Sequence, residues 1–453
     1  MACKIVFIGG GSFLWSGRFA TDLFLKESLR GSCLTLVDID AAALALVADY
    51  CRRLNETLGA EWTVETAERD AALEGADYVM VSIAVGGLEA FDRDYRIPES
   101  YGVYHSVGDT VGPAGISRVL RNVPVFLDIA RSMERICPDA WMIHVTNPLA
   151  QITRAVCKAT SVKTMGLCHN YEGTMRFLAD LLGVKREEID ANTYGVNHFT
   201  WLRDLTCAGQ PVELTRLTVA EYLRYEANRK GVLKTGTTDD EINAMFDANT
   251  GDDERLVFEL CEIYGLYPVG GPPHIAENFP YYLNDPEVIK QHHIRRKGVL
   301  PERADGREAK RLRVERILAG TEPLEELKAS HESFADIVES LHTGQPARAV
   351  INAPNTGQVG NLPRDVVVET WATIGKDSVT PESGGDVPVA LKGFLESIVA
   401  EEELAVEAAL TGDRNLVLQA LLASPMLINK DAAPALANEL LAAQQDWLPQ
   451  FQS

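Results

Sequence analysis

The sequence predicts an α/β protein: a Rossmann-type, doubly wound parallel sheet joined to a second, helix-rich α+β domain. Three observations carry this. Short continuous runs of apolar and β-branched residues alternate with segments of helical length, the pattern of a parallel sheet covered on both faces. The first run enters a glycine turn, "FIGGGSF" (7–13). After about residue 195 the alternation gives way to longer helices and to loops such as "YPVGGPPH" (267–274).

Taken in order, residues 4–11 read as a strand and glycine turn, and 17–29 as an amphipathic helix. "CLTLVDID" (33–40) is a second strand with carboxylates at its end, followed by a helix through 41–59. "YVMVSIAVGG" (78–87) and "AWMIHVTNPLA" (140–150) are further buried strands, with a helix at 116–136 between them. "VKTMGLCHN" (162–170) is another strand, ending at Cys168. Residues 391–425 are helical with repeated apolar spacing. The expected division is a dinucleotide-binding domain over 1–195 and a substrate- and metal-binding domain over 196–453.

Size and charge narrow the function. A chain of 453 residues can build two substantial cores. No apolar run approaches the roughly 20 residues of a membrane helix. The N-terminal segment lacks the basic stretch, apolar run and small-residue site of a cleavable signal, so a cytoplasmic location is expected. With 43 basic and 65 acidic residues the formal charge is −22, which repels nucleic acid and anionic membrane. Neither is an expected partner, and an anionic small ligand would have to meet locally placed arginines. The eight cysteines show no close pairing and read mostly as small buried thiols.

The glycine turn has a chemical reading because a strand precedes it and a helix follows. Gly9 permits the tight turn, and Gly11 lets the backbone approach a pyrophosphate at the helix N-terminus, with Ser12 and Phe13 in the same loop. Leu14 stands where the usual third glycine would be. Asp38, at the tip of the second strand, is placed to accept from an adenosine ribose and would repel a 2′-phosphate, which favours NAD over NADP. The bland alternative is a turn with solvated carboxylates.

Cys168 ends a strand on the carboxyl edge, where open sheets bind ligands, and His198 lies in the later segment "GVNHFTWL" (195–202). A thiolate and an imidazole are two ligands that leave positions open, as a catalytic metal requires. A structural cysteine and a core histidine are the competing reading.

Several segments together resemble glycoside hydrolase family 4: "GGGSF", "GDTVGPAGISRVLRNVPV" (108–125), "VTNPLA" (145–150), "GLCHN" (166–170), "GVNHFTWL" and "NAPNTGQVGNLPRDVVVE" (352–369). The resemblance spans nearly the whole chain. It implies an NAD- and Mn²⁺-dependent glycosidase, an exception to two-carboxylate glycoside hydrolysis, with a homodimer or tetramer expected. In such enzymes NAD⁺ takes a hydride from sugar C3, a metal on the C2 and C3 oxygens polarises the ketone, a base removes the C2 proton, the aglycone is eliminated, water adds and the hydride returns.

By the same resemblance Cys168 and His198 are the metal ligands, and His169 protonates the leaving group. Asn147 lies near the cofactor and bonds sugar hydroxyls, Asp109 sits near the scissile bond, and His274 and Glu277 face the pocket. The C2 base is left open among Tyr281, Tyr282 and a metal-bound hydroxide, with Pro272 and Pro273 in the stretch where relatives offer it. Arg118, Arg121 and Arg203 are the candidates to hold an acidic sugar. The Cys-His pair is the pattern of α-galacturonidases, α-glucuronidases and α-galactosidases, and the motifs look most like the first group. Asn170 and Tyr171 depart from the pattern of each group at those two positions, so a sulfoquinovoside also stays open. The rival class is a 2-hydroxy acid dehydrogenase, and an idle NAD-binding protein is the third possibility; neither accounts for the whole motif series.

Overall fold

The structure, a computed structural model, describes residues 2–234, 236–247, 253–296, 300–325 and 327–452. Six parallel strands form the first part of the main sheet: β1 (Lys4–Ile8), β2 (Cys33–Val37), β3 (Thr63–Thr66), β4 (Tyr78–Val81), β5 (Trp141–His144) and β6 (Lys163–Gly166). Their order is β3-β2-β1-β4-β5-β6, so the direction of winding reverses between β1 and β4. That is the doubly wound arrangement the apolar runs predict. Helices α1 (Ser16–Phe24), α2 (Ala41–Leu58), α3 (Arg69–Leu73), α4 (Gly87–Ser100), α5 (Gly112–Ile136), α6 (Leu149–Ala159) and α7 (Asn170–Leu182) belong to this half.

The local reasons are conventional. Asp40 caps α2 by accepting from Ala43 N at 3.0 Å, and Gly59 ends it in the left-handed region. The strands expected to run to residues 40, 87, 150 and 170 stop at Val37, Val81, His144 and Gly166. Their missing ends are the loops over the carboxyl edge, released from the ladder. Helix α4 has no counterpart in the sequence reading. Its buried face includes Asp94, which pairs with the buried Arg121, and a buried carboxylate hides an apolar stripe.

The sheet continues past β6 with strands from much later in the chain. A smaller sheet intervenes first, from β7 (Ile189–Val196), β8 (Phe199–Cys207), β9 (Gln210–Pro211) and β10 (Tyr267–Pro268). Then β11 (Ala347–Pro354), β12 (Val367–Gly375) and β13 (Ser378–Pro381) add to β6 as antiparallel neighbours, completing nine strands. One core crosses between halves: Ile116 and Val119 of α5 pack with Phe199, Trp201, Leu391 and Leu395. Among the described residues no helix is long and apolar enough to cross a membrane.

Candidate active site

The loops leaving β1, β2, β4, β5 and β6 gather along the carboxyl edge. Gly9 has φ +91°, and a Cβ there would lie 2.0 Å from Ser82 O, so no other residue fits. Gly11 N donates to Asp38 Oδ2 at 2.8 Å, and a Cβ on Gly11 would stand 2.9 Å from that same oxygen. The close approach that Gly11 visibly allows is therefore to Asp38, where the sequence reading looked only to a pyrophosphate. Asp38 Oδ1 accepts from Asp40 N at 2.9 Å, and each carboxylate oxygen keeps a second lone pair for a ribose hydroxyl. Ser12 Oγ accepts from Trp15 N at 3.2 Å, which closes the loop into α1. Phe13, Ala43 and Leu88 line a cavity of about 650 Å³ whose far wall is Arg307 and Arg311 of the helix Leu300–Leu318. The glycine loop and the carboxylate at the end of β2 fit a dinucleotide.

A second polar cluster is built around Asp109, on the loop before α5. Asn147 follows β5, and its Nδ2 donates to Asp109 Oδ2 at 3.1 Å. Its own carbonyl accepts from Asn122 Nδ2 at 3.0 Å and from Arg118 Nη2 at 3.5 Å. Thr110 Oγ1 lies 3.0 Å from Asp109 Oδ1 and 2.6 Å from His198 Nδ1. One hydroxyl proton can serve only one of them, so His198 donates to the threonine and the threonine to the carboxylate. His198 occupies the β7–β8 turn with φ +65°. Its ring centroid is 4.2 Å from that of His274, and Asn278 Nδ2 ties both backbones by donating to His198 O at 3.0 Å and His274 O at 2.9 Å.

Charges in this cluster support one another. Burial alone would raise the Asp109 carboxyl, but the hydrogen bond and charge of His198, with His274 and Arg118, hold it well below the usual carboxylate range. Burial would likewise lower His198, yet Asp109 and the neighbouring Cys168 keep its imidazolium well above the ordinary value. Among the described residues, Asp109, His198 and His274 form a group whose donor atoms all lie within 4.8 Å of one another. Cys168, expected as a ligand, lies outside that group and adjoins His198; a carboxylate and two imidazoles are a donor set that fits a divalent transition metal. His169 follows Cys168 at the start of α7, exposed, with its ring 6.2 Å from Trp15.

Three expected sugar contacts have other partners. Glu277 is buried, and its Oε1 accepts from the backbone of Ser106, Val107 and Gly108 at 2.9, 2.9 and 2.8 Å, so it holds a loop instead of facing the cleft. Arg121 is committed to Asp94, with Nη1 2.8 Å from Oδ1, and to Val85 O. Arg203 donates to Asp204 at 3.1 Å and covers the Tyr194 ring. Arg118 differs from both. It is 9% exposed, its Nε has no hydrogen-bond partner among the described residues, and Phe91 lies 5.3 Å beneath it. Tyr281 and Tyr282 pack on Phe279, while Pro272 and Pro273 open the short helix Pro272–Ala276 that carries His274. Thr110, Asn122 and Asn278 were not singled out in the sequence, although Thr110 and Asn122 lie inside the segment "GDTVGPAGISRVLRNVPV".

Two family models match the chain, the family 4 glycosyl hydrolase over residues 4–184 and the family 4 glycosyl hydrolase C-terminal domain over residues 193–427. The chain belongs to glycoside hydrolase family 4. Within family 4 it is 34% identical to the alpha-galacturonidase of Bacillus subtilis (strain 168), over 97% of this chain and 96% of that protein. The crystal structure of lplD from Bacillus subtilis superposes with a TM-score of 0.83 at 32% identity, covering 97% of this chain and 100% of that one. A 6-phospho-beta glucosidase from Thermotoga maritima, solved with manganese, NAD⁺ and glucose-6-phosphate, shares the fold at a TM-score of 0.77 and 22% identity, over 98% and 99% of the two chains. As a family 4 member the protein is a glycoside hydrolase.

Proposed function

We propose that this family 4 enzyme cleaves α-linked, non-phosphorylated hexosides that carry an acid group, α-galacturonides first among them, with NAD and Mn²⁺ or a similar divalent metal. The observation that carries the reading is Arg118. A buried guanidinium whose Nε has no partner among the described residues, beside Asp109 and Asn147, keeps a charged donor free for a substrate oxygen. Burial, and then the charge of Arg121, pull its pKa down to about 10, so it stays cationic at neutral pH. A uronate carboxylate matches it, and the 34% identity to an alpha-galacturonidase points the same way.

Bound NAD⁺ supplies reversible oxidation of the sugar, and the divalent metal supplies Lewis acidity at its hydroxyl oxygens. The chain's residues do the rest. His198, His274, Asp109 and Cys168 would hold the metal, and Asp38 with the glycine loop would hold the dinucleotide. Asn147 and Asp109 orient sugar hydroxyls. By the family resemblance His169, at the start of α7, would hand a proton to the departing aglycone, although desolvation holds its imidazole below the ordinary value.

The test is turnover with NAD⁺, Mn²⁺ and the p-nitrophenyl α-galacturonide, α-glucuronide, α-galactoside and α-sulfoquinovoside. Phenol release without net NADH, fastest on an acidic sugar, is expected. Equal or faster turnover of the neutral galactoside would overturn the acidic substrate. Net NADH from a hydroxy acid would overturn the glycosidase reading.

A further inference from the structure

The buried carboxylate of Glu277 touches neither the glycine loop nor the cluster around His198, yet it joins the two segments that supply Asp109 and His274. Its Oε1 receives three successive backbone N–H groups, from Ser106, Val107 and Gly108, at 2.9, 2.9 and 2.8 Å. Consecutive amides converging on one oxygen form an anion-binding nest, here filled from inside the chain. A fourth donor is His105. Ala114 N–H points at His105 Nε2 from 3.2 Å, so the ring proton sits on Nδ1 and faces Glu277 Oε1 at 3.1 Å. Ser106 Oγ donates to Pro273 O, adding a second tie between the same segments.

The placement gives this anion its significance. Asp109 is the residue after Gly108, whose φ of +68° brings it within reach of Tyr95; a Cβ there would stand 3.0 Å from that ring. His274 lies on the short helix that ends at Glu277. We infer that Glu277 is a positioning residue, an internal anion that sets the Asp109 loop against the His274 helix and so presets the spacing of the metal-binding cluster. The inference rests on the cluster of Asp109, His198 and His274 holding a divalent metal. Without the carboxylate, three buried amides lose their acceptor, and the loop must move to find another.

The test measures Mn²⁺ affinity directly, by electron paramagnetic resonance or calorimetry, on full-length wild type, Glu277→Ala and the nearly isosteric Glu277→Gln. Mn²⁺ binding should weaken about 10- to 100-fold in Glu277→Ala and less in Glu277→Gln, the usual range for removing a group that orients ligands. NAD affinity, read by fluorescence titration, should stay at the wild-type value because the glycine loop is untouched. Acetate matches the deleted methylene and carboxylate, so it should restore Mn²⁺ binding to Glu277→Ala, where chloride at equal ionic strength does not. Wild-type Mn²⁺ affinity in both variants would overturn the positioning role, as would a parallel loss of NAD affinity. Failure of the wild-type protein itself to bind Mn²⁺ would instead remove the metal reading, and this role with it.

Discussion

Arg118 and His169 illustrate how single residues divide the work of the proposed reaction. If Arg118 holds the sugar's acid group, replacing it with Met should cost about 10- to 100-fold in kcat/KM on the α-galacturonide and leave the α-galactoside within about threefold, the scale of one charged hydrogen-bonded contact. Steady-state kinetics on the two glycosides decide it, and equal losses would mean that Arg118 only supports Asn147. For His169 the leaving group is the informative variable. His169→Ala should slow alkyl glycosides by about 10² to 10⁴, the usual contribution of a general acid. Nitrophenyl glycosides, whose phenolate leaves unaided, should suffer far less. Both residues stood out in the sequence, Arg118 through a motif and His169 through its neighbour Cys168. Thr110 did not, because a threonine that relays between a histidine and an aspartate looks like any other until both partners are in place.

At the scale of elements, the start of α5 is held from outside. Glu401, on the helix Val389–Thr411, accepts from Gly112 N at 2.6 Å and is 1% exposed. Burial pushes its carboxyl up from 4.5 to about 8, and Glu402 beside it is raised as well. Between those values the unfolded chain has released a proton that the folded chain keeps. Stability therefore falls with rising pH, by at most about 1.4 kcal/mol per unit for this group. Glu401→Gln retains an oxygen for Gly112 and removes the titration. It should raise Tm relative to wild type at pH 8.5 and change it little at pH 5, as followed by thermal unfolding. Equal shifts at both pH values would contradict the account. A run such as "AEEEL" reads as a solvated helix face in sequence, and only packing against α5 turns two of its acids inward.

At the scale of the molecule, the late strands complete the early site. Glu369 of β12 is buried and accepts from Asn352 Nδ2 on β11 at 2.7 Å, Asn197 Nδ2 at 2.8 Å and Thr200 Oγ1 at 3.2 Å. Asn197 directly precedes His198, so a strand 172 residues further along the chain steadies the turn that presents the imidazole. Glu369→Gln would turn an amide donor toward donors. A loss of about 1–3 kcal/mol is expected in denaturant unfolding, together with weaker Mn²⁺ binding. Unchanged stability and metal affinity would show that the turn holds itself.

What the sequence determined alone is the order of the βα units, the glycine turn, Asp38 and the motif series of family 4, because backbone propensity, apolar period and short-range spacing act over tens of residues. Tertiary structure decided which of the marked side chains share a cluster and which are held elsewhere. It brought His274 to His198, gave Arg121 to Asp94, and turned Glu277 to the amides of its own fold. Such choices depend on which buried charges find partners, and partners hundreds of residues apart are chosen by packing.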